Sequence, residues 1–118
     1  MSYRTLEIWQ LARLQSIEIH KMTLSLPAFE MYETGQQIRR SSKSVRANIV
    51  EGYGRKNYPK EYHRFIIFAL ASNDETIDHL ETLFETGSLD DEVLFHRLHK
   101  NAVKLGVKFN NFHQSLLR

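Results

Sequence analysis

Five glycines and two prolines punctuate 118 residues, and the stretches between the breaks repeat apolar side chains every three or four positions. That spacing lays one face of an α-helix against a core. The first stretch runs from Leu6 to Leu24 and stops before Pro27. A second starts near Thr34, where Thr34 and Gln37 have capping-box spacing. It closes at Gly52-Tyr53-Gly54, residues suited to a left-handed helix terminus. A third opens at Pro59, a favoured first helical residue, and runs to Gly87. Ser88, three residues before Asp91, offers a variant capping pattern for the fourth. Leu94, Leu98, Ala102, Leu105, Phe109, Phe112 and Leu116 then follow in helical steps. No internal repeat or β-alternation interrupts the pattern. Short connections favour antiparallel neighbours, so the expected fold is all-α, an antiparallel up-down-up-down four-helix bundle. At this length it forms one domain over residues 1–118.

The second helix has three faces where a surface helix needs two. At 100° per residue, Ile38, Ser42, Val45, Ile49 and Gly52 gather into an apolar or small face. Gln37, Ser44, Asn48, Glu51 and Arg55 form a polar face, and Arg39, Lys43 and Arg46 a basic one on the other side. Short polar groups dominate the polar face, whereas a solvated face more often carries long charged chains. Ser44, Asn48 and Glu51 are therefore expected to be at least partly buried and hydrogen-bonded. Ser72, Asn73, Glu75 and Arg55 are the candidate partners.

The first and third helices are apolar over a wide arc. Helix 3 has a core stripe of Tyr62, Ile66, Ala69, Asn73, Ile77, Leu80 and Phe84. Beside it runs a flank of Phe65, Phe68, Ser72, Thr76, His79 and Leu83. Helix 1 spreads Leu6, Ile8, Trp9, Leu11, Ala12, Leu14, Ile17 and Ile19 around most of its circumference. A second apolar stripe points to a second packing surface. The alternative is a core seam widened by bulky side chains. The first reading gives a homo-oligomer with Phe65, Phe68 and Ser72 at the interface. Because the two flanks lie on different helices, a heterologous contact that closes into a ring fits them.

Several chemistries lack their residues. The absence of cysteine removes disulfides, thiolate catalysis and cysteine–zinc sites. No apolar run approaches the length of a membrane span. The N-terminus has no signal-peptide core, which makes the cytoplasm the expected location. A bundle di-metal site needs paired Glu-x-x-His motifs, and the chain has none. Glu75 with His79, Glu92 with His96, and His96 with His99 have ligand spacing, but surface helices produce such pairs readily. Gly52-Tyr53-Gly54 is too short for a phosphate loop, and no spacing fixes a general base beside Ser41, Ser42 or Ser44. The expectation is a non-enzyme with no metal, cofactor or small-molecule substrate.

Charge is more informative. The formal net charge is +2. Yet the segment from Arg39 to Arg64 holds eight Lys or Arg against Glu51 and Glu61, while Phe65 to Phe95 holds eight carboxylates and no Lys or Arg. Such asymmetry marks either a polyanion-binding face or two segments that pair with each other, within or between subunits. Arg39, Lys43 and Arg46 form the helical stripe. Arg55, Lys56 and Lys60 surround the following turn with Tyr53 and Tyr58 interleaved, and Arg64 stands one turn further on. Cations neutralise phosphate and exposed aromatics stack on unpaired bases. RNA binding with little sequence preference is the leading reading. A scaffold subunit whose basic face meets an acidic protein is the alternative.

Leu6-Glu7-Ile8-Trp9-Gln10-Leu11-Ala12, Gln37-Ile38-Arg39-Arg40-Ser41, Ser44-x-x-x-Asn48-Ile49-x-Glu51-Gly52-Tyr53-Gly54-Arg55 and Glu61-x-x-Arg64-Phe65 carry a family resemblance. The chain resembles, from Tyr3 to about Leu83, the four-helix-bundle proteins encoded within 23S ribosomal RNA intervening sequences. Arg46 stands where the family pattern has proline, and Ala71 where it has glycine. The resemblance implies bacterial origin and a likeness to the accessory variability proteins of diversity-generating retroelements, which form pentamers with a basic surface for RNA. A homopentamer, ribosomal association and RNA binding are thus implications of the resemblance. The family label reflects where the genes lie and does not establish an activity.

Overall fold

The computed structural model describes residues 2–117, which measure 45 × 23 × 20 Å. Four α-helices account for most of them: α1 (Glu7–Thr23), α2 (Thr34–Tyr53), α3 (Pro59–Glu85) and α4 (Glu92–Leu116). Short 3-10 turns at Tyr3–Thr5 and Ala28–Met31 precede α1 and α2. No strand occurs among the described residues. Helices α1 and α3 each pack against both α2 and α4, which makes a bundle. Side-chain partners rise along one helix as they fall along its neighbour. Ser41 meets Thr76 while Ser44 meets Ser72, and Tyr62 meets Phe112 while Phe84 meets Phe95.

The helical periodicity converts directly into core. Ile38, Val45 and Ile49 of α2, Ile66, Ala69 and Leu80 of α3, and Leu98, Ala102, Leu105 and Phe109 of α4 are all buried. The core has two lobes, one around Trp9, Ile49, Tyr62 and Phe109, the other around Ile19, Ile38, Leu80 and Leu98. Near their junction, Asn73 is fully buried. It accepts from Gln15 Nε2 at 3.1 Å and donates to the Ala102 carbonyl at 2.9 Å, joining α1, α3 and α4.

Three expected caps differ in detail. The Thr34–Gln37 box does not form, because Thr34 is already inside the helix. Buried Glu30 takes over the task, its Oε1 accepting from the Gly35 amide at 3.2 Å. A carboxylate also complements the positive end of the helix dipole. Gly54 is right-handed at φ −61, so α2 has no left-handed terminus. Gly52 serves another purpose: a Cβ there would lie 3.1 Å from the Phe65 Cβ, so its lack of a side chain lets α3 come close. Among the described residues the left-handed one is Gly87, at φ 83 after α3. Asp91, not Ser88, caps α4, its Oδ1 accepting from the Leu94 amide at 3.0 Å.

The wide apolar arcs divide. On α1, Ile8, Trp9, Ala12 and Ile19 are buried and Leu6, Leu11 and Ile17 half-buried, leaving only Leu14 of that set exposed. Trp9 and Ile8 fill the core rather than a second surface. On α3, Thr76 and Leu83 of the flank are fully buried, whereas Phe68 remains 42% exposed. The widened seam thus explains most of the arc, and the large apolar side chains that α3 leaves exposed are Ile67 and Phe68.

Candidate nucleic-acid interface

The polar face of α2 is turned toward α3. Thr76 Oγ1 donates to the Ser72 carbonyl at 2.9 Å and shares a 2.8 Å bond with Ser41 Oγ. One turn along, Ser44 Oγ lies 3.0 Å from Ser72 Oγ, and Asn48 Nδ2 donates to both the carbonyl and the hydroxyl of Ser44. Ser44 and Asn48 are half-buried, as their residue types indicated. Glu51 differs: its side chain is 56% exposed and pairs with Arg55 Nη1 at 2.8 Å. It sits where the polar stripe emerges at the end of the helix, so no desolvation cost forces it to seek a partner on α3.

The seven basic residues do not form one surface. Arg46 turns toward α1, donating to Ser16 Oγ at 3.1 Å with its guanidinium 5.4 Å from the Trp9 ring centre. Lys43, exposed, stands beside it. Arg39 is half-buried and donates to the Met31 carbonyl at 2.7 Å, which ties the preceding turn to α2. On the α3 side, Arg55 lies 4.5 Å from the Phe65 ring centre, and Arg64 lies 5.3 and 5.4 Å from those of Phe65 and Phe68. Arg64 also pairs with Glu61 at 3.4 Å. Lys56 donates to the Tyr53 hydroxyl at 3.0 Å. Lys60 is exposed at the end of the bundle, near His63. The helical rotation between Arg46 and Arg55 is what separates the two groups.

The structure adds residues that the sequence reading passed over. Between α1 and α2 lies a groove of about 620 Å³ lined by Tyr3, Arg4, Trp9, Ser16, Ile17, His20, Lys21, Lys43, Arg46, Ala47 and Val50. Four Lys and Arg side chains line it and, among the described residues, no carboxylate does. Trp9, Ser16 and His20 share an arc of α1 at steps of seven and four. Trp9 and Ile17 belong to the apolar arc of helix 1 and Lys43 and Arg46 to the basic stripe of helix 2, whereas Ser16 and His20 belong to neither pattern.

Ion pairing bears on the charge asymmetry. Among the described residues, no ion pair joins the Arg39–Arg64 segment to the carboxylates of Phe65–Phe95. Their contacts are local, as in Arg55–Glu51, or run elsewhere, as in Glu81 to His99 at 2.7 Å. Pairing of the two segments within one subunit is therefore not the arrangement found. Of the histidine spacings, His79 lies 3.3 Å from Glu75, and His99 pairs with Glu81 rather than sharing a ligand set with His96. Among the described residues no group of three or more His, Asp or Glu is placed to hold a metal ion. Nor, among them, is any helix long and apolar enough to cross a membrane.

Comparison with known proteins agrees with this architecture. A crystal structure of a protein of unknown function from the S23 ribosomal protein family of Bacteroides thetaiotaomicron superposes with a TM-score of 0.78. It is 17% identical, over 90% of this chain and 97% of that one. At that identity the likeness speaks to the fold alone. No curated protein matches the chain. The family model for the 23S rRNA-intervening sequence protein matches residues 4–111, and the chain belongs to that family.

Proposed function

We propose that this protein is a non-enzymatic, homo-oligomeric RNA-binding protein of the bacterial cytoplasm, one domain over residues 1–118, with ribosomal RNA as its candidate target. The carrying observation is the cationic excess of α2 and the α2–α3 turn, which the acidic segment of the same subunit leaves unneutralised. Lys43, Arg46, Lys56 and Lys60, with Arg39, Arg55 and Arg64 flanking them, would contact phosphates, which position a protein without reading sequence. The family's name ties such chains to 23S rRNA intervening sequences and supports the same target. The opposite running order of partners along neighbouring helices supports an up-down-up-down bundle. Exposed Phe68 with half-buried Phe65 and Ser72 supplies a subunit contact. Resemblance to the accessory variability proteins of diversity-generating retroelements suggests five subunits.

A scaffold role with an acidic protein partner is the second reading. Its support is the patch where Arg55 and Arg64 lie over Phe65 and Phe68, since arginine and aromatic residues dominate protein-binding hot spots.

One experiment separates these. RNA binding is measured against salt for the parent and for Lys43→Glu with Lys60→Glu, two exposed side chains without hydrogen bonds among the described residues. Arg46 is left intact because it holds Ser16. Affinity should fall with salt at a slope of about 0.7 per phosphate neutralised on a single strand, and the reversed protein should bind all RNAs more weakly. Equal binding by parent and variant at moderate salt would reduce the basic surface to a solvated one. Light scattering on the same samples reports assembly, and a monomer at micromolar concentration would sink the oligomer.

A further inference from the structure

The groove between α1 and α2 has the composition of a site rather than of a solvated stripe. Its apolar lining is Tyr3, Trp9, Ile17, Ala47 and Val50, and its cations are Arg4, Lys21, Lys43 and Arg46. Its volume of about 620 Å³ falls within the range of roughly 300–1,000 Å³ usual for small-ligand sites. The arginines are held in place. The Arg4 and Arg46 guanidiniums lie 5.3 and 5.4 Å from the Trp9 ring centre, and Arg4 lies 5.4 Å from that of Tyr3. Tyr3 meets Trp9 edge to face at 5.1 Å. Cation–π contact and the Ser16 hydrogen bond restrict these chains before any ligand arrives, so less freedom is lost on binding.

Phosphate alone would need the cations but not the apolar walls. A fatty chain would need the walls but not four cations around them. A ligand carrying both a flat ring and a phosphate uses the whole groove. We propose that the α1–α2 groove is a nucleotide subsite, holding one unpaired base against Tyr3, Arg4 and the Ile17–Val50 wall and its phosphate on Lys43, Lys21 and Arg46. This rests on the RNA-binding reading and sharpens it. A base within a duplex is already stacked and cannot enter, whereas a splayed base stacks on aromatic rings and guanidinium planes. The protein therefore selects single-stranded RNA, a preference that phosphate contacts alone would not give.

The test uses Ala47→Leu, which fills the groove at an exposed position and removes no charge. Binding of a single-stranded RNA and of a duplex of equal length is compared for parent and variant. Separately, uridine monophosphate and ribose 5-phosphate are titrated while following the indole N–H NMR signal of Trp9, the single tryptophan. Parent protein should prefer the single strand, and the variant should lose about tenfold on it, the scale of one stacked base, with duplex binding unchanged. The Trp9 signal should move with uridine monophosphate far more than with ribose 5-phosphate. Equal binding of both RNAs, unaffected by Ala47→Leu, overturns the subsite and leaves RNA binding standing. If neither RNA binds, the RNA reading falls, and the mononucleotide titration decides the groove by itself: a base-dependent Trp9 shift upholds it, and no shift overturns it.

Discussion

The two flanks of α2 handle polarity in opposite ways. Toward α3, short side chains are drawn in and bonded to one another: Ser41 to Thr76, Ser44 to Ser72, Asn48 to Ser44. Toward α1, Arg46 keeps its charge near water and lays its guanidinium over Trp9, an arrangement the α3 side repeats only past the end of the helix, where Arg55 lies over Phe65. The difference follows from desolvation. A hydroxyl is inexpensive to bury once paired, whereas a cation is not and must reach the surface. One helix can thus present a closed, structural flank and an open flank lined with charge. On this comparison, substitutions facing α3 should move stability, and substitutions facing α1 should move binding.

The strongest way to break that division is at Asn73, which sits behind the closed flank with no exposed surface. Asn73→Leu leaves the Gln15 amide without its partner and takes from the Ala102 carbonyl the bond it accepts beside its helical one. Stability should fall by about 1–3 kcal/mol, the cost of leaving buried polar groups unpaired. Denaturant unfolding measures it, and an unchanged midpoint would mean that the core has no polar requirement there. Asn48→Leu is the milder probe. Among the described residues Asn48 bonds only within its own helix, and Ser44 keeps Ser72 as a partner without it. The loss should be below about 1 kcal/mol, smaller than a bond across the helix interface would give.

The sequence conveyed the fold because its apolar positions fall at helical spacing almost without interruption, and helix starts such as Pro59 need no tertiary information. It conveyed the polar flank for a related reason: Ser44 and Asn48 are the wrong residues for open water. Glu51 broke the pattern because position along the helix, not angle around it, decides where the stripe surfaces. The start of α2 was misplaced because Glu30 reaches Gly35 from outside the helix, a contact no local spacing announces. The binding surface was the hardest to read. A helical wheel of α2 puts Arg46 beside Lys43, yet it does not reveal that Arg4, Trp9, His20 and Lys21 complete a groove around them. Sites built across helices depend on which helices become neighbours.

The smallest effect at neutral pH is expected at Tyr62, where the closed flank of α2 ends. Its ring lies against Gly52, near Tyr53 and Phe112. Burial, aided by the charge Tyr53 would carry, pushes the Tyr62 phenol up from 10.0 to about 12. Below pH 10 both folded and unfolded chains keep the proton, so stability is unaffected. Between pH 10 and about 12 the unfolded chain releases it first and binds fewer protons than the fold does, so stability falls as pH rises. Tyr62→Phe removes the titrating group but keeps the ring, and the hydroxyl makes no hydrogen bond among the described residues. At pH 7 the substitution should change stability by no more than about 0.5 kcal/mol. Denaturation midpoints followed from pH 7 to pH 11 should then decline less steeply for the variant than for the parent. Parallel declines would mean that the phenol ionises as freely in the fold as in water, and that the end of the closed flank is open to solvent.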